Sequence, residues 1–324
     1  MSSNPTSRDP LANSREFLWI RTFVAPFHPL PSPFGPGDDA AIVQGRRGRF
    51  CVTTDSVIEG VHFLRSHARL QDVGHKALAV NLSDLAAMGA RPDWFVCSLA
   101  VPRAFGRWEV TQLAAGMSVV ARQHRIRLIG GNFSAASEVS VSITAAGTLG
   151  ARALTRGGGR AGDWLYVSGT LGEARLGLEL LRKGKRTGAA LRQLRPTPRV
   201  GLGILASAYA RAAIDVSDGF AQDLSHLCFA SSLAAEVEVD CLPIAPSLAR
   251  TLPRHKQLEF ALAGGEDYEL ILAVPAARSV GFERACAEKG ERVTRVGQLT
   301  RGAGVYLREG GKTISAPRGF DHFR

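Results

Sequence analysis

The stretch DVGHKALAVNLSDLAAMGA at residues 72–90 constrains the fold more than any other. It reads as one long helix, with Asp72 placed to cap its start and Gly89 to take the left-handed position past its end. Its second half is built of small and apolar residues around a single charge, Asp84. Asn81 and Asp84 are three residues apart, so they share one helical face with Ala77 and Met88. A carboxylate on a face that must pack is costly unless it is paired or bound to a cation. The helix therefore needs packed neighbours, and Asp84 needs a counter-charge.

The neighbours are legible on both sides. RFCVTTD (49–55) reads as a strand ending in a polar cluster, WFVCSLAVP as a strand, VTQLAAGMSVVARQHR as a helix and IRLIGG as a strand ending in a glycine pair. VSVSITAAGTLG alternates as a half-buried strand does. A Gly-rich polar stretch at 153–163 then changes the character of the chain. Beyond it, DWLYVSG is a strand, and TLGEARLGLELLRKG is a helix with Thr170 and Glu173 at capping-box spacing. A helix near 199–213, a strand and turn at IDVSDG, a helix at FAQDLSHLCFAS and a strand at YELILAVP follow. Strands and helices alternate in both halves, so the class is α/β or α+β in two domains, 1–150 and 151–324.

Composition narrows the function. With 45% hydrophobic and 21% charged residues the chain is that of a globular protein, and no apolar run approaches a membrane span. FLWIRTFVAPF carries Arg21 in its middle and lacks a small-residue cleavage site, so no signal peptide is expected there. Five cysteines are scattered without a C-x-x-C pair and read as reduced thiols of a cytoplasmic protein. The net charge is +11, but the basic residues are spread along the chain and no zinc-finger or aromatic-rich RNA-binding signature is present. A surface suited to small anions is expected, not a nucleic-acid partner.

The chemistry is carried by short acidic motifs. They are GDD (Asp38, Asp39), TTD (Thr53, Thr54, Asp55), IGGN (Asn132), DVSDG (Asp215, Ser217, Asp218) and GGED (Glu266, Asp267), with Asp84 in the helix. Each has a plainer reading: Asp218 serves equally as a helix cap, and Glu266 and Asp267 as turn residues. Together they set many carboxylate and hydroxyl oxygens beside glycine turns in a basic protein. Hard oxygen ligands with open positions suit Mg²⁺ bridging phosphates. The calcium loop D-x-[DN]-x-[DN]-G, the P-loop G-x-x-x-x-G-K-[ST] and the protein-kinase HRD and DFG motifs are missing, and no G-x-G-x-x-G turn follows a strand. His62, seven residues past Asp55, reads as a substrate contact or an ordinary surface histidine.

In order, GDDAAIV, TTDSVIEGVHF, KALAVNLSDLAAMGA, LIGGN, RALTRGGGRAGDWLYVSG, IDVSDG, GGEDYEL and GFDHF resemble the thiamine-monophosphate kinase family, from about residue 15 onward. VNLSDLAAMGA together with GGEDYEL and GFDHF separates the chain from relatives of the same fold such as aminoimidazole ribonucleotide synthetase and selenophosphate synthetase. The resemblance implies an aminoimidazole ribonucleotide synthetase-like fold, with an N-terminal ATP- and Mg²⁺-binding domain pairing across a homodimer. It implies transfer of the ATP γ-phosphate to thiamine monophosphate. By matching motifs, Asp39, Asp55, Asp84, Asp215 and Asp218 would bind several Mg²⁺ ions with Thr53, Thr54 and Asn132. Gly131, Asn132, Arg156 and Ser217 would contact ATP, and His62, Glu266 and Phe320 the thiamine phosphate.

The acceptor is a phosphate monoester with a second pKa near ~6, so it needs no general base. Catalysis then reduces to positioning and charge neutralisation. One departure stands out: where the family often has IGGD followed by an Arg, this chain has IGGNFSAAS. The neutral Asn132 can ligate a metal but neutralises no charge. A regulatory homologue that binds ATP or thiamine diphosphate without turnover is the competing expectation. A synthetase acting on another acceptor ranks behind it.

Overall fold

The computed structural model describes residues 41–45, 48–314 and 319. The expected ligands Asp39 and Phe320 lie outside the described residues.

The first half of the chain forms a five-stranded sheet of β1 (Ala41–Gly45), β2 (Gly48–Ile58), β3 (Ala90–Val101), β4 (Arg127–Ala135) and β5 (Ser140–Leu149). The order is β1-β2-β5-β3-β4, antiparallel except for β3 and β4. Those two run parallel because helix α2 (Arg107–His124) crosses over between them. Val141, Ile143 and Ala145 of β5 are fully buried, as its alternation requires.

Helix α1 (Leu70–Ala87) begins two residues earlier than its sequence pattern indicates. Asp72 lies inside the first turn, where its carboxylate accepts the Arg69 amide at 3.1 Å. Gly89 takes the expected left-handed conformation, φ +69°. The helix packs on α2 and on strands β2 and β5, and its other side meets the second half of the chain. Small residues permit that contact on both sides. A Cβ on Gly116 of α2 would lie 1.8 Å from the Gln71 carbonyl oxygen. A Cβ on Gly203 of α5 (Val200–Ala206) would lie 2.0 Å from that of Ala86.

The second sheet has seven strands: β6 (Asp163–Ser168), β7 (Ala212–Asp215), β8 (Ala234–Glu238), β9 (Leu270–Pro275), β10 (Val293–Thr300), β11 (Gly304–Glu309) and β12 (Lys312–Ile314). Their order is β12-β11-β8-β10-β6-β9-β7. Helices α3 (Glu173–Arg182), α4 (Gly188–Leu194), α6 (Phe220–Ser231), α7 (Pro246–Thr251), α8 (Arg254–Ala263) and α9 (Ser279–Glu288) complete this half. The largest apolar cluster is continuous between the halves, from Leu82 and Ile143 through Leu202 to Leu272 and Phe282. Among the described residues no helix is long and apolar enough to cross a membrane.

Two local expectations fail. The helix expected near 199–213 stops at Ala206, because Ala212–Asp215 are drawn into the sheet against Leu270–Ala273. The Thr170–Glu173 capping box does not form. Gly172 occupies the cap position at φ +86°, and Asp267 takes the amides of Gly172 (2.6 Å) and Ala174 (3.1 Å) from a distant loop.

On the side of α1 facing the second half, Asp72, Lys76 and Ser83 are all buried. Asp72 accepts Arg195 Nε at 2.6 Å and also pairs with Arg186. Burial alone would raise its carboxyl pKa, but the bonds from these two arginines outweigh burial and hold it below the ordinary carboxylate range. The arginine side chains keep 28% and 43% of their exposure, so water screens part of the interaction. Asp72→Asn is expected to lower the unfolding free energy by ~2 kcal/mol at pH 7. The deficit should be complete above the unfolded carboxyl pKa of ~3.9 and vanish as the pH falls through the depressed folded-state value. Urea titrations of both proteins from pH 7 to pH 3 measure it.

Candidate active site

A cavity of about 1060 Å³ opens between the two halves. Strand β2 and helix α1 supply one wall, and the turns after β7 and before β9 supply the other. Thr53, Thr54, Asp55, His62, Asp84, Arg156, Asp215, Ser217, Asp218 and Glu266 all line it, so ten of the residues singled out in the sequence share one space.

Three of the carboxylates, Asp84, Asp215 and Asp218, accept a hydrogen bond from a neutral donor, and Asp55 is held through its backbone. Thr53, buried in the middle of β2, donates its hydroxyl to Asp84 Oδ2. The Asp55 amide donates to Asn81 Oδ1 at 3.1 Å, and Asn81 in turn donates to the Ala77 carbonyl at 3.0 Å. Ser83 donates to Asp215 Oδ2 at 2.6 Å, joining α1 to the end of β7. Gln222 Nε2 donates to Asp218 Oδ2 at 3.2 Å. Such donors orient a carboxylate without cancelling its charge.

The turn DVSDG is held by a residue the sequence reading did not single out. Asp223 Oδ2 accepts the amides of Asp218 (3.1 Å) and Gly219 (3.0 Å), so Asp223 closes the start of α6, the task expected of Asp218. Burial, then the charges of Asp218 and Asp215, raise its pKa well above the carboxylate range. Its position four residues after a glycine turn was the available signal. Tyr268, also unread, lines the cavity with its phenol shifted well upward by burial and then by the charges of Glu266, Asp55, Asp215 and Asp84.

The GGED loop divides its acids. Asp267 faces inward and caps α3, whereas Glu266 lines the cavity, its backbone left-handed at φ +67°. His62 Nδ1 accepts the Ile58 amide at 3.1 Å, which sets the ring against the cavity. Arg156 lies on a short 3₁₀ turn at the rim and depresses the buried His226 to about 3, second to burial. Gly319, the residue before Phe320, also reaches the cavity.

Two expected contacts stand apart. Gly131 and Asn132 lie on β4, in register with Cys97 and Ser98 of β3, and do not line this cavity. Gly131 is required there for a steric reason, since a Cβ would lie 2.0 Å from the Cys97 carbonyl oxygen. Among the described residues no three His, Cys, Asp or Glu side chains converge closely enough to hold a metal unaided. The donors are nevertheless hard oxygens, and Mg²⁺ commonly takes one or two carboxylates and completes its shell with phosphates and water. The donor set fits that ion.

Comparison with known proteins agrees with this geometry. The family models for the N-terminal and C-terminal domains of AIR synthase related proteins match residues 37–149 and 160–309. The thiamine-monophosphate kinase of Haemophilus influenzae is 35% identical over 301 residues, 89% of this chain and 91% of that protein. The enzyme of the same name from Escherichia coli K12 is 35% identical over 305 residues, 91% and 93% of the two chains. A solved structure of AaThiL complexed with AMPPCP and TMP superposes with a TM-score of 0.84 at 33% identity, over 96% of this chain and 97% of that one. The hydrogenase maturation protein HypE of Escherichia coli shares the fold, with a TM-score of 0.70 at 19% identity over 93% of this chain and 97% of that one.

The inward acid of the GGED loop has a pH signature. Burial raises Asp267 to about 7, against the pull of the two amides it accepts. The folded state therefore holds a proton that the unfolded chain releases near ~4, and stability falls as pH rises between those values. Wild-type stability relative to Asp267→Asn should decline from pH 4 to pH 7 and level off above. Thermal melts across that range check it; a flat difference would place the Asp267 charge elsewhere.

Proposed function

The chain belongs to the thiamine-monophosphate kinase family and has its two-domain AIR synthase-like fold, and we propose that it transfers the γ-phosphoryl group of ATP to thiamine monophosphate, giving thiamine diphosphate and ADP. The observation that carries this reading is the meeting of Asp55 of β2, Asp84 of α1, Asp215 at the end of β7 and Asp218 of the turn that follows around one cavity.

The reaction brings two polyanions together. The acceptor oxygen is already ionised at neutral pH, since a phosphate monoester has a second pKa near ~6. The protein's task is to hold donor and acceptor in line and to offset their repulsion. Mg²⁺ held by Asp55, Asp84, Asp215 and Asp218 would supply positive charge to the phosphates. Thr53, Ser83 and Gln222 keep three of those carboxylates aimed before substrate arrives. Arg156, Ser217, His62 and Glu266 all face this space, and matching motifs assign the first two to ATP and the last two to the thiamine phosphate. The parts assigned to Asp39, Phe320, Gly131 and Asn132 rest on matching motifs alone. The four aspartates at the cavity favour turnover over a purely regulatory role. A cytoplasmic location goes with this reading and with five free cysteines.

A homodimer through the first sheet is the companion proposal. Strand β4 is at the sheet edge and leaves Leu128, Ile129 and Phe133 58%, 56% and 58% exposed. An open edge carrying large apolar side chains is a surface that a partner covers. Phe133→Arg should halve the mass seen by sedimentation velocity; an unchanged dimer would move the interface elsewhere, and a monomeric wild type would end the proposal.

The activity test is direct. With ATP and Mg²⁺ the purified protein should make thiamine diphosphate from thiamine monophosphate and none from thiamine. Asp55→Asn should cut turnover at least ~100-fold with an unchanged circular dichroism spectrum. Full turnover in a folded variant would remove Asp55 from the metal set, and no product from wild type would refute the kinase reading.

A further inference from the structure

We propose that Lys76 is a positioning residue for the thiamine-phosphate end of the cavity: with Gln193 it clamps the Glu266 carboxylate in the wall between the two halves. The inference rests on the kinase reading above and adds residues that reading does not use.

Lys76 projects from α1 and retains 3% of its side-chain exposure. Its ammonium pairs with Glu266 Oε1, while Gln193 Nε2 from α4 donates to Glu266 Oε2. Lys76 Nζ also reaches Gln193 Oε1 at 3.4 Å, so the three side chains close a ring. All three line the cavity. The backbone beneath Glu266 is equally fixed. Its amide donates to the Ser217 carbonyl at 2.7 Å, and the Tyr268 amide to Val216 at 2.8 Å. With the backbone pinned and both oxygens engaged, the carboxylate has one orientation, and the side chain keeps 26% of its exposure.

Burying an ammonium costs several kcal/mol unless it is paired, and an apolar side chain of similar size would fill such a space with no such cost. Packing alone therefore does not account for a lysine here. Its effect is on Glu266. A flexible carboxylate near Asp215 and Asp218 would be drawn to any cation bound by them. Lys76 and Gln193 hold it back, with its remaining lone pairs toward the cavity. There they can receive the cationic thiazolium or the aminopyrimidine of thiamine monophosphate.

The test is a split in steady-state constants. Lys76→Met should raise KM for thiamine monophosphate about tenfold or more while KM for ATP stays within about twofold, because only one substrate meets Glu266. Lys76→Arg should recover part of the loss. Gln193→Leu should shift the same constant in the same direction by less. The double variant should fall short of the product of the two effects, since both act on one carboxylate. If Lys76→Met fails to fold, Gln193→Leu carries the test, because it strands no buried charge. An active wild type with an unchanged KM in the folded variants would overturn the clamp alone, whereas an inactive wild type would strike the kinase reading. A fall in kcat with both KM values intact would also overturn it and assign Lys76 to the transferring phosphate.

Discussion

Everything at the cavity depends on how α1 is held between two sheets. The helix is apolar on most of its surface, and that surface alone would leave it free to turn or slide against smooth neighbours. Its polar residues remove the freedom. Asp72 reaches Arg186 and Arg195, Lys76 reaches Gln193 and Glu266, and Ser83 reaches Asp215, all across to the second half. Buried ion pairs contribute little net stability compared with apolar residues of the same volume. The continuous core through Leu82, Leu202 and Leu272 supplies that stability. What the polar contacts add is register. Asp84 lies one residue past Ser83, so the contacts that set the rotation of the helix also set where this carboxylate points.

Two chemical settings stand out among the acids of the protein. Asp72, Asp163 and Glu269 are buried and held by arginines, Glu269 by both Arg192 and Arg199. Asp84, Asp215 and Asp218 each take a hydrogen bond from a hydroxyl or an amide. An arginine partner satisfies a carboxylate and fixes structure, whereas a neutral donor directs a carboxylate without itself cancelling the charge. Part of the basic excess follows from the first setting. Asp72 and Glu269 each engage two arginines, so each cluster is left with a positive charge.

Legibility in the sequence followed locality. Helices α1 and α6 and strands β2, β5 and β6 were readable, because their periodicity and flanking turns lie within a few residues of one another. The capping box at Thr170 and Glu173 had the right spacing and failed because Asp267, remote in sequence, competes for the same amides. Asp218 has the position of a helix cap, but Asp223, five residues on, reaches back to its amide. Ten of the residues picked from acidic and glycine-rich motifs share the cavity, yet Gly131 and Asn132, from a motif of the same kind, lie on an edge strand. A motif reports the chemistry of its residues; which motifs meet is decided by strand order, here β1-β2-β5-β3-β4.

The loop before β9 shows why a motif is not a unit of function. In four successive residues, Glu266 faces the cavity, Asp267 caps α3, Tyr268 lines the cavity and Glu269 binds two arginines and Ser168. This segment does not alternate as an ordinary extended strand does, since Glu266 and Tyr268 both have positive φ. Those conformations are unfavourable for non-glycine residues and persist only when surroundings over-determine them. Here the surroundings are the DVSDG turn, which accepts the amides of both residues. The turn carrying Asp215 and Asp218 thus also fixes the loop carrying Glu266. The proposed metal-binding and thiamine-binding ends of the cavity are for that reason one mechanical piece, and a shift in either acidic turn must be felt by the other.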